Sequence, residues 1–200
     1  DTFFSKTYAT DGLQSLLPLL AKRYAGKEKD VFSGEDGLLS LDTVFGGGKT
    51  HSQIAAYHFS RNPHAIEDLG KYIVDDEARA EFEEIKDSLS VRTAVFEGGF
   101  VSATNAKCNK DDQNAPNTQT MWGELAYQLA GADGYAKFSE YDDERIAPGE
   151  SDIAELFDTL DDPGLVLIDE VAQYFEQAAA VGVEDSTLAD QTNSFLWSLM

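Results

Sequence analysis

Three consecutive glycines followed by lysine and threonine form the segment of this chain whose residue types are best suited to bind an anion. Residues 43–50 read Thr-Val-Phe-Gly-Gly-Gly-Lys-Thr. Glycine lets successive backbone N–H groups point at one anion, because it has no side chain to block the approach. The pattern predicts a phosphate-binding loop, in which Gly46, Gly47 and Gly48 surround the phosphates of ATP and the following helix adds its positive N-terminal end.

The residues after the glycines have complementary roles in such a loop. Lys49 is expected to reach the β- and γ-phosphates, Thr50 to place its hydroxyl on Mg²⁺, and His51 to hydrogen-bond close to the phosphates. The usual pattern begins with glycine, whereas Thr43 occupies that position here. A glycine-rich turn before an ordinary helix is therefore the alternative interpretation, with His51 packed or solvated on the helix face.

Two adjacent carboxylates, Asp169 and Glu170, follow the apolar run Leu-Val-Leu-Ile at residues 165–168. An aspartate at this place binds Mg²⁺, usually through water, and the next glutamate polarises the water that attacks the γ-phosphate. Glu170 and Lys49 are thus the predicted catalytic residues, and Thr50 and Asp169 are the predicted metal ligands. Taken alone, the pair also fits an acidic helix N-terminus, where the helix dipole stabilises carboxylates.

Strands that alternate with helices must position these residues. Residues 35–60 are predicted to contain a short strand at 37–42, the phosphate loop and a helix at 49–60. Residues 91–96 and 164–170 are the other predicted strands, and the unbroken apolar run in the second suits a strand covered on both faces. This alternation predicts an α/β layered fold with a parallel sheet, whose strands present the site at their carboxyl ends.

Further helices are predicted from apolar residues that recur every three to four positions. Residues 13–24 suit an amphipathic leucine-rich helix, and 77–89 suit a charged helix whose apolar face includes Leu89. Residues 100–120 are polar and are predicted to form a long loop or insertion. Trp122 is expected to pack in the core, with contact to nucleotide or to a neighbouring subunit as the alternative. The remaining predicted helices are 121–129, 153–160, 171–180 and 188–199.

Acidic residues outnumber basic residues by 37 to 15, which gives the chain a formal net charge of -22. Such a charge destabilises a compact state by self-repulsion unless salt screens it, so the composition predicts a halophilic source. An acidic surface would also repel nucleic acid at low salt. The alternative interpretation of the acidic surface is a docking patch for a basic partner.

The sequence lacks the segments that would place the chain in a membrane or an oxidising compartment. No apolar run reaches the roughly 18 residues of a membrane-spanning helix, and the start lacks the basic-then-apolar pattern of a signal peptide. The single Cys108 cannot form an internal disulfide, and no Cys or His partners flank it at zinc-binding spacing. We therefore expect a cytoplasmic protein without a membrane partner.

Two short strings resemble GTPase motifs. Asn-Lys-Asp-Asp at residues 109–112 matches the guanine-selective N-K-x-D pattern, and Asp-Asp-Pro-Gly at 161–164 matches D-x-x-G. The first string lies in the polar insertion instead of after a late strand, and the second precedes its strand instead of following it. ATP is therefore the predicted nucleotide, with GTP as the alternative.

Four strings occur in a fixed order along the chain: Thr-Tyr-Ala-Thr-Asp-Gly-Leu at 7–13, Phe-Gly-Gly-Gly-Lys-Thr-His at 45–51, Met-Trp-Gly-Glu-Leu-Ala at 121–126 and Leu-Ile-Asp-Glu at 167–170. With these strings the chain resembles the N-terminal ATPase region of large prokaryotic AAA+-like P-loop ATPases. That family is a domain of unknown function associated with anti-phage or restriction-type gene clusters. The resemblance runs over most of the chain and implies a P-loop NTPase (ASCE, AAA+-like) three-layer sandwich with a parallel central sheet.

The resemblance also implies what surrounds the chain. Residues 1–200 would be the N-terminal part of a P-loop ATPase domain, truncated at the C-terminus, with the sensor strand and arginine finger beyond Met200. ATP and Mg²⁺ are the implied ligands, and a homo-oligomer or larger complex is the implied assembly. Hydrolysis would power remodelling or a defence-related action on nucleic acid or protein. The alternative is a slow nucleotide-dependent switch or scaffold that binds ATP to assemble partners.

Overall fold

The computed structural model describes residues 2–26, 39, 41, 48–107 and 112–200. The chain divides into two compact units, Asp1–Val91 and Arg92–Met200, and each is described by itself. Several predictions lie outside the described residues: the strand at 37–42 apart from two isolated leucines, the glycines Gly46 and Gly47, and most of the string at 109–112.

Two helices of the first unit begin where a polar side chain caps them. Thr10 accepts a hydrogen bond from the Leu13 N–H at 3.3 Å, and Asp75 accepts from the N–H groups of Glu77 and Ala78 at 3.0 and 3.2 Å. Such caps satisfy N–H groups that have no partner within the helix. The helices are α1 (Phe3–Lys6), α2 (Asp11–Tyr24), α3 (Lys49–Arg61) and α4 (Asp76–Ile85), with 3₁₀ turns at Pro63–Ala65 and Leu69–Lys71.

The core of the first unit lies where α2 packs against α3 and α4. Leu13 and Leu17 of α2 are fully buried. Phe59 of α3 stacks on Phe82 of α4, with ring centroids 4.6 Å apart. Burying side chains of this size stabilises the fold by about 2 kcal/mol each, so this aromatic pair contributes to the packing of all three helices.

Two predicted helices of the first unit are confirmed, and a third ends early. α2 and α3 match the predictions at 13–24 and 49–60, and α3 ends where Asn62 precedes a proline. α4 ends at Ile85 instead of at the predicted residue 89. Both the N–H and the hydroxyl of Ser88 donate to the Ile85 carbonyl, at 2.9 and 3.1 Å, and this local bonding closes the helix in place of another turn.

The second unit contains four strands and four helices among its described residues. Thr120 and Thr187 each cap a helix by accepting an N–H three residues on, from Gly123 and Asp190 at 3.2 Å in both cases. The elements are β1 (Arg92–Glu97), α5 (Met121–Glu144), α6 (Glu150–Asp158), β2 (Gly164–Asp169), α7 (Val171–Ala178), β3 (Gly182–Val183), β4 (Ser186–Thr187) and α8 (Leu188–Leu199).

β1 and β2 are parallel neighbours, in register from Arg92 opposite Gly164 to Glu97 opposite Asp169. α5 and α6 lie between them in the chain, as the return path of a parallel pair requires. The two strand predictions are confirmed, and the fold is mixed α/β, with this small parallel sheet among mostly helices.

The burial of β2 differs from the full cover expected of it. Its residues after Gly164 are half-buried. Val166 and Ile168 pack against the core of the second unit. Because side chains alternate along a strand, Leu165 and Leu167 face away from that core. The short antiparallel pair of β3 and β4 was not predicted.

α5 is a helical hairpin that reverses at Gly131. This glycine has φ 66° and ψ -151°, which lie outside helical values. The Thr120 N–H, just before the helix, donates to Asp142 near its far end at 2.8 Å. A straight helix over those 22 residues would separate them by about 33 Å, so the two arms, 121–130 and 132–144, must fold back on each other. The prediction at 121–129 is confirmed for the first arm alone.

Aromatic contacts hold the core of the second unit. Phe96 of β1 meets Tyr174 of α7 edge-on at 5.1 Å between ring centroids, and Trp122 contacts Phe195 of α8 at 5.7 Å. Trp122 is fully buried, so the prediction that it packs in the core is confirmed. Among the helices that the structure describes, none combines the length and apolarity that crossing a membrane requires.

Candidate functional site

The start of α3 carries the described part of the predicted phosphate loop. Gly48 precedes the helix in the left-handed conformation, with φ 83° and ψ 19°, and its carbonyl accepts the Ser52 N–H at 2.8 Å. A residue with a Cβ would be strained there, although among the described residues no atom beyond its chain neighbours and own helix lies within 4 Å of the Cβ position. Lys49 is half-buried, and Thr50 and His51 are exposed. The first turn contains no acidic residue, so its positive end suits an anion.

An aromatic cluster lies along the side of α3. Phe3 of α1 stacks on His58 at 4.7 Å between ring centroids and lies 5.4 Å from the ring of His51. Burial lowers the pKa of His58 below its usual value. α1 therefore packs on the face of α3 that begins at the predicted phosphate loop.

The carboxyl end of β2 carries the predicted acidic pair. Asp169 is the last residue of the strand, and its Oδ1 accepts the Glu170 N–H at 3.0 Å. Glu170 has φ 50° and ψ 29°, a left-handed conformation that is uncommon for a residue with a side chain. Its side chain is exposed, and α7 begins directly after it. The backbone thus reverses sharply at the residue predicted to be the general base.

A third carboxylate, which the sequence reasoning missed, lies beside the predicted pair. Glu97 ends β1 directly opposite Asp169 in the parallel register. Its Oε1 accepts the Gly99 N–H at 3.2 Å, and the Gly98 N–H donates to the Asp169 carbonyl at 2.9 Å. An acidic residue between a strand and a glycine pair was the available signal, because carboxyl ends of neighbouring parallel strands meet at one edge.

The glycine pair after β1 makes the close approach to Glu170 possible. A Cβ on Gly98 would lie 2.5 Å from the Glu170 carbonyl oxygen. A Cβ on Gly99 would lie 2.9 Å from Oε1 of Gln173 and 3.0 Å from Oε1 of Glu97. The missing side chain of Gly98 therefore leaves room for the backbone of Glu170, whereas that of Gly99 leaves room for the side chains of Gln173 and Glu97.

Gln128 of α5 hydrogen-bonds β1 from the side, and Glu124 of the same helix supports Gln128. The amide of Gln128 accepts the Val95 N–H at 2.8 Å and donates to the Val95 carbonyl at 3.0 Å, as a neighbouring strand would. Gln128 also donates to Glu124 at 2.7 Å, and Glu124, which is 2% exposed, accepts the Thr118 hydroxyl at 2.7 Å. Because buried polar groups are costly unless hydrogen-bonded, this network fixes the loop, helix and strand together.

Asp142 closes the hairpin of α5. It is fully buried and accepts the Gln119 N–H, the Thr120 N–H, the Thr120 hydroxyl and the Tyr135 hydroxyl. Burial raises the pKa of this carboxyl, while the hydrogen bonds from Thr120, Gln119 and Tyr135 lower it. Gly123 is required beside it, because a Cβ there would overlap the Asp142 carboxylate. The glycine of the Trp-Gly-Glu-Leu string thus has a packing role.

The polar segment at 100–120 is a loop in its described part, as predicted, and it is anchored. The ammonium of Lys107, a residue only 9% exposed, donates to the carbonyls of Asp112 and Ala115 at 2.8 and 3.0 Å. The Tyr127 hydroxyl of α5 donates to the Asp112 carboxylate at 3.1 Å. Backbone carbonyls around one ammonium give the loop a fixed shape.

The structure keeps the predicted residues in two groups, one in each unit. Gly48, Lys49, Thr50 and His51 share the start of α3, and Asp169 and Glu170 share the end of β2. Within the described ranges, no three His, Cys, Asp or Glu side chains are arranged as a metal site. Mg²⁺ commonly keeps several waters and takes only one or two carboxylates, so the oxygen donors at the end of β2 fit an aquated ion better than a full protein cage.

The protein is thus mixed α/β, with carboxylates at the end of a parallel strand and a left-handed glycine directly before a helix. Comparison of the chain with protein families adds one finding. Residues 1–200 match the family described as the DUF499 N-terminal domain, a domain of unknown function, and the chain belongs to this family. Neither the curated proteins nor the solved structures contain a match to the chain.

Proposed function

We propose that this chain binds ATP together with Mg²⁺ and hydrolyses it. The observation that carries the proposal is the end of β2, where Asp169 is the last residue of a parallel strand, Glu170 follows it, and the Glu170 side chain is exposed to solvent. Open α/β sheets bind ligands outside the carboxyl ends of their strands. The glycine start of α3 supports the phosphate-binding half of the proposal.

Phosphate binding is assigned to Gly48, Lys49 and Thr50, with His51 beside them. Successive N–H groups at a helix start and the positive end of its dipole favour an anion. The Lys49 ammonium adds a full charge, and Lys49 is already placed in the first turn of α3. Gly46 and Gly47, which lie outside the described residues, are proposed to belong to the same phosphate-binding loop.

Metal binding is assigned to Thr50 and Asp169, and water activation to Glu170. When bound, Mg²⁺ would neutralise charge on the β- and γ-phosphates. The Glu170 carboxylate would accept a proton from water as the water oxygen bonds to the γ-phosphorus and the bond to ADP breaks. Glu97, at the end of the neighbouring strand β1, adds negative charge at the same edge of the sheet, which favours a cation there.

The wider role follows the family resemblance. We propose a P-loop NTPase domain of the AAA+-like type, a three-layer sandwich with a parallel central sheet, that works in a homo-oligomer or larger complex. Its hydrolysis would power remodelling of nucleic acid or protein in a defence setting. Glu170 favours this motor over the slow switch or scaffold, because a module that only binds ATP does not need a carboxylate placed for water.

Turnover of ATP by the intact protein, compared with Lys49→Ala and Glu170→Gln, tests the proposal. Glu170→Gln should keep ATP binding and lose about 100-fold in kcat, since a general base contributes about that much. The assays need molar KCl, because a net charge of -22 requires screening. If wild type and Glu170→Gln hydrolyse ATP equally slowly, the hydrolysis proposal is wrong and the switch remains.

A further inference from the structure

We propose that Gln173 is a positioning residue for the Glu170 carboxylate. We also propose that Gly99, the second glycine after β1, leaves the space that the Gln173 side chain needs for this role. This inference rests on the proposed function, because it concerns the residue assigned to water activation. It adds a side chain that neither the phosphate-loop pattern nor the Asp-Glu pattern contains. Gln173, Gly99 and Glu170 all belong to the second unit.

Gln173 contacts Glu170 at two points. Its Nε2 donates to Oε2 of the Glu170 carboxylate at 3.0 Å, and its backbone N–H donates to the Glu170 carbonyl at 3.0 Å. The first bond engages one oxygen of the carboxylate, and the second oxygen can then accept the proton of a water. Gln173 therefore holds both the backbone carbonyl and the carboxylate of Glu170, the proposed general base, in position.

Such support matters because the Glu170 side chain is exposed and its backbone is left-handed. An exposed glutamate samples several rotamers, and each rotamer points its carboxylate in a different direction. A general base must lie within hydrogen-bonding distance of the proton that it removes. A donor on the first turn of α7 selects the rotamers in which the carboxylate stays at the end of β2.

The turn after β1 holds Gln173 from the other side. The Cβ position of Gly99 is only 2.9 Å from Gln173 Oε1 and 3.0 Å from Glu97 Oε1. The Gly99 N–H in turn donates to Glu97 at 3.2 Å. Gln173 thus lies between Glu170 and a turn anchored to the last residue of β1. A methyl group at Gly99 would displace a flexible side chain and leave the backbone in place.

The ordinary alternative is a surface pair. Hydrogen bonds between exposed side chains three residues apart on a helix contribute little to stability. A surface pair of that kind would make Gln173 replaceable without effect on turnover. The two explanations therefore differ in kcat and agree in predicting a small change in Tm.

Three variants in the intact protein separate these explanations, with ATP turnover measured in molar KCl. Gln173→Met keeps the side-chain length and removes the donor, and it should lower kcat about fivefold. Gln173→Glu sets a like charge beside Glu170 and should lower kcat by about 20-fold. Gly99→Ala acts from the opposite side of Gln173 and should lower kcat about threefold. KM for ATP and Tm should stay at the wild-type values in all three.

Gln177→Met is the matched control, since Gln177 is the exposed glutamine one turn further along α7. It should leave kcat unchanged. The positioning role is overturned if Gln173→Met keeps the wild-type kcat, if Gln177→Met loses as much, or if the loss comes with a fall in Tm. Wild-type turnover that Lys49→Ala does not abolish overturns the proposed function, and this inference with it. Turnover that depends on Lys49 but not on Gln173 overturns this inference alone.

Discussion

α3 and α7 begin in the same unusual way, with opposite charge. Gly48 and Glu170, the residues before them, have φ 83° and φ 50°, and neither helix has a side-chain cap. Four other described helices, α2, α4, α5 and α8, begin with a Thr or Asp side chain that accepts an N–H. Neither helix has an acidic residue in its first turn, but Gly48 and a lysine stand at the start of α3, whereas Asp169 and Glu170 directly precede α7.

The difference in charge suits the two helix starts to different ligands. The start of a helix attracts an external anion, because the helix dipole is positive there. A strand end with carboxylates attracts a cation or orients a water instead. α1 and α6 also lack a side-chain cap, but among the described helices only α3 and α7 follow a left-handed residue. These are the two places where the sequence predicts function, and functional sites are where local rules are expected to be broken.

The largest effect on stability is expected at Gly98, which lies against the residue before α7. In Gly98→Ala the new methyl group would lie 2.5 Å from the Glu170 carbonyl oxygen, and a backbone must move to admit it. We expect a loss of about 3 kcal/mol in the free energy of unfolding, measured by urea denaturation. Gly182→Ala is the control, because no atom lies within 4 Å of its Cβ position. Equal losses in the two variants would show that the approach of Glu170 to β1 is unimportant.

A smaller effect is expected at the start of α3. In Gly48→Ala the new methyl group meets no atom of another described residue within 4 Å, so we expect its cost to come from the left-handed backbone. We expect a loss of about 1 kcal/mol, again by urea denaturation. An unchanged stability would mean that this residue takes up another conformation in solution.

The corresponding change at the start of α7 should act in the opposite direction. Glu170→Gly relieves the strain of a left-handed residue, so the free energy of unfolding should rise by about 0.5 kcal/mol. ATP turnover should fall to background, because the proposed general base is lost. A variant that is less stable than wild type would contradict the claim that Glu170 is held there at a cost in stability.

The smallest effect concerns His58 on the side of α3. Burial lowers its pKa, so the folded state favours the neutral ring. The stability that this preference contributes is present above the usual histidine pKa and is lost as the pH falls through the lowered value. NMR titration of the His58 ring should give a pKa below the usual value, and Phe3→Leu, which removes the stacked ring, should shift it upward. An unchanged His58 pKa in that variant would show that the Phe3 ring does not cause the lowered value.

Most elements of the fold could be predicted because their apolar periodicity is strong. α2, α3, β1, β2 and α8 lie close to their predicted positions. The second arm of α5 was missed, because its reversal depends on Gly131 and on a buried carboxylate, Asp142, more than on local pattern. Sequence periodicity does not show that an acidic residue will be buried against the start of the same helix.

The candidate site was predicted only where its motifs are contiguous. Lys49 and Thr50, like Asp169 and Glu170, are adjacent in sequence and could be found by pattern. Glu97 became visible only through the register of β1 and β2, which places it opposite Asp169 although 72 positions separate them. Contacts of that kind are set by strand pairing, which the local sequence does not specify.

The two units also differ in net charge. Residues 92–200 contain 21 of the 37 acidic residues but only 5 of the 15 basic residues. Self-repulsion should therefore be greatest in the second unit, and salt should stabilise that unit more than the first. Assays of the acidic strand end need salt more than assays of the helix start do.

Binding of Mg²⁺ and ATP by wild type and Lys49→Ala, measured by titration calorimetry in molar KCl, tests the central claim most directly. A hydrogen bond to a charged group contributes about 1.5 to 3 kcal/mol, so the account predicts at least about tenfold weaker binding in Lys49→Ala. Lys86→Ala, which removes an equal charge beyond the end of α4, should bind as wild type does. Equal affinity in wild type and Lys49→Ala would contradict the assignment of a phosphate-binding loop.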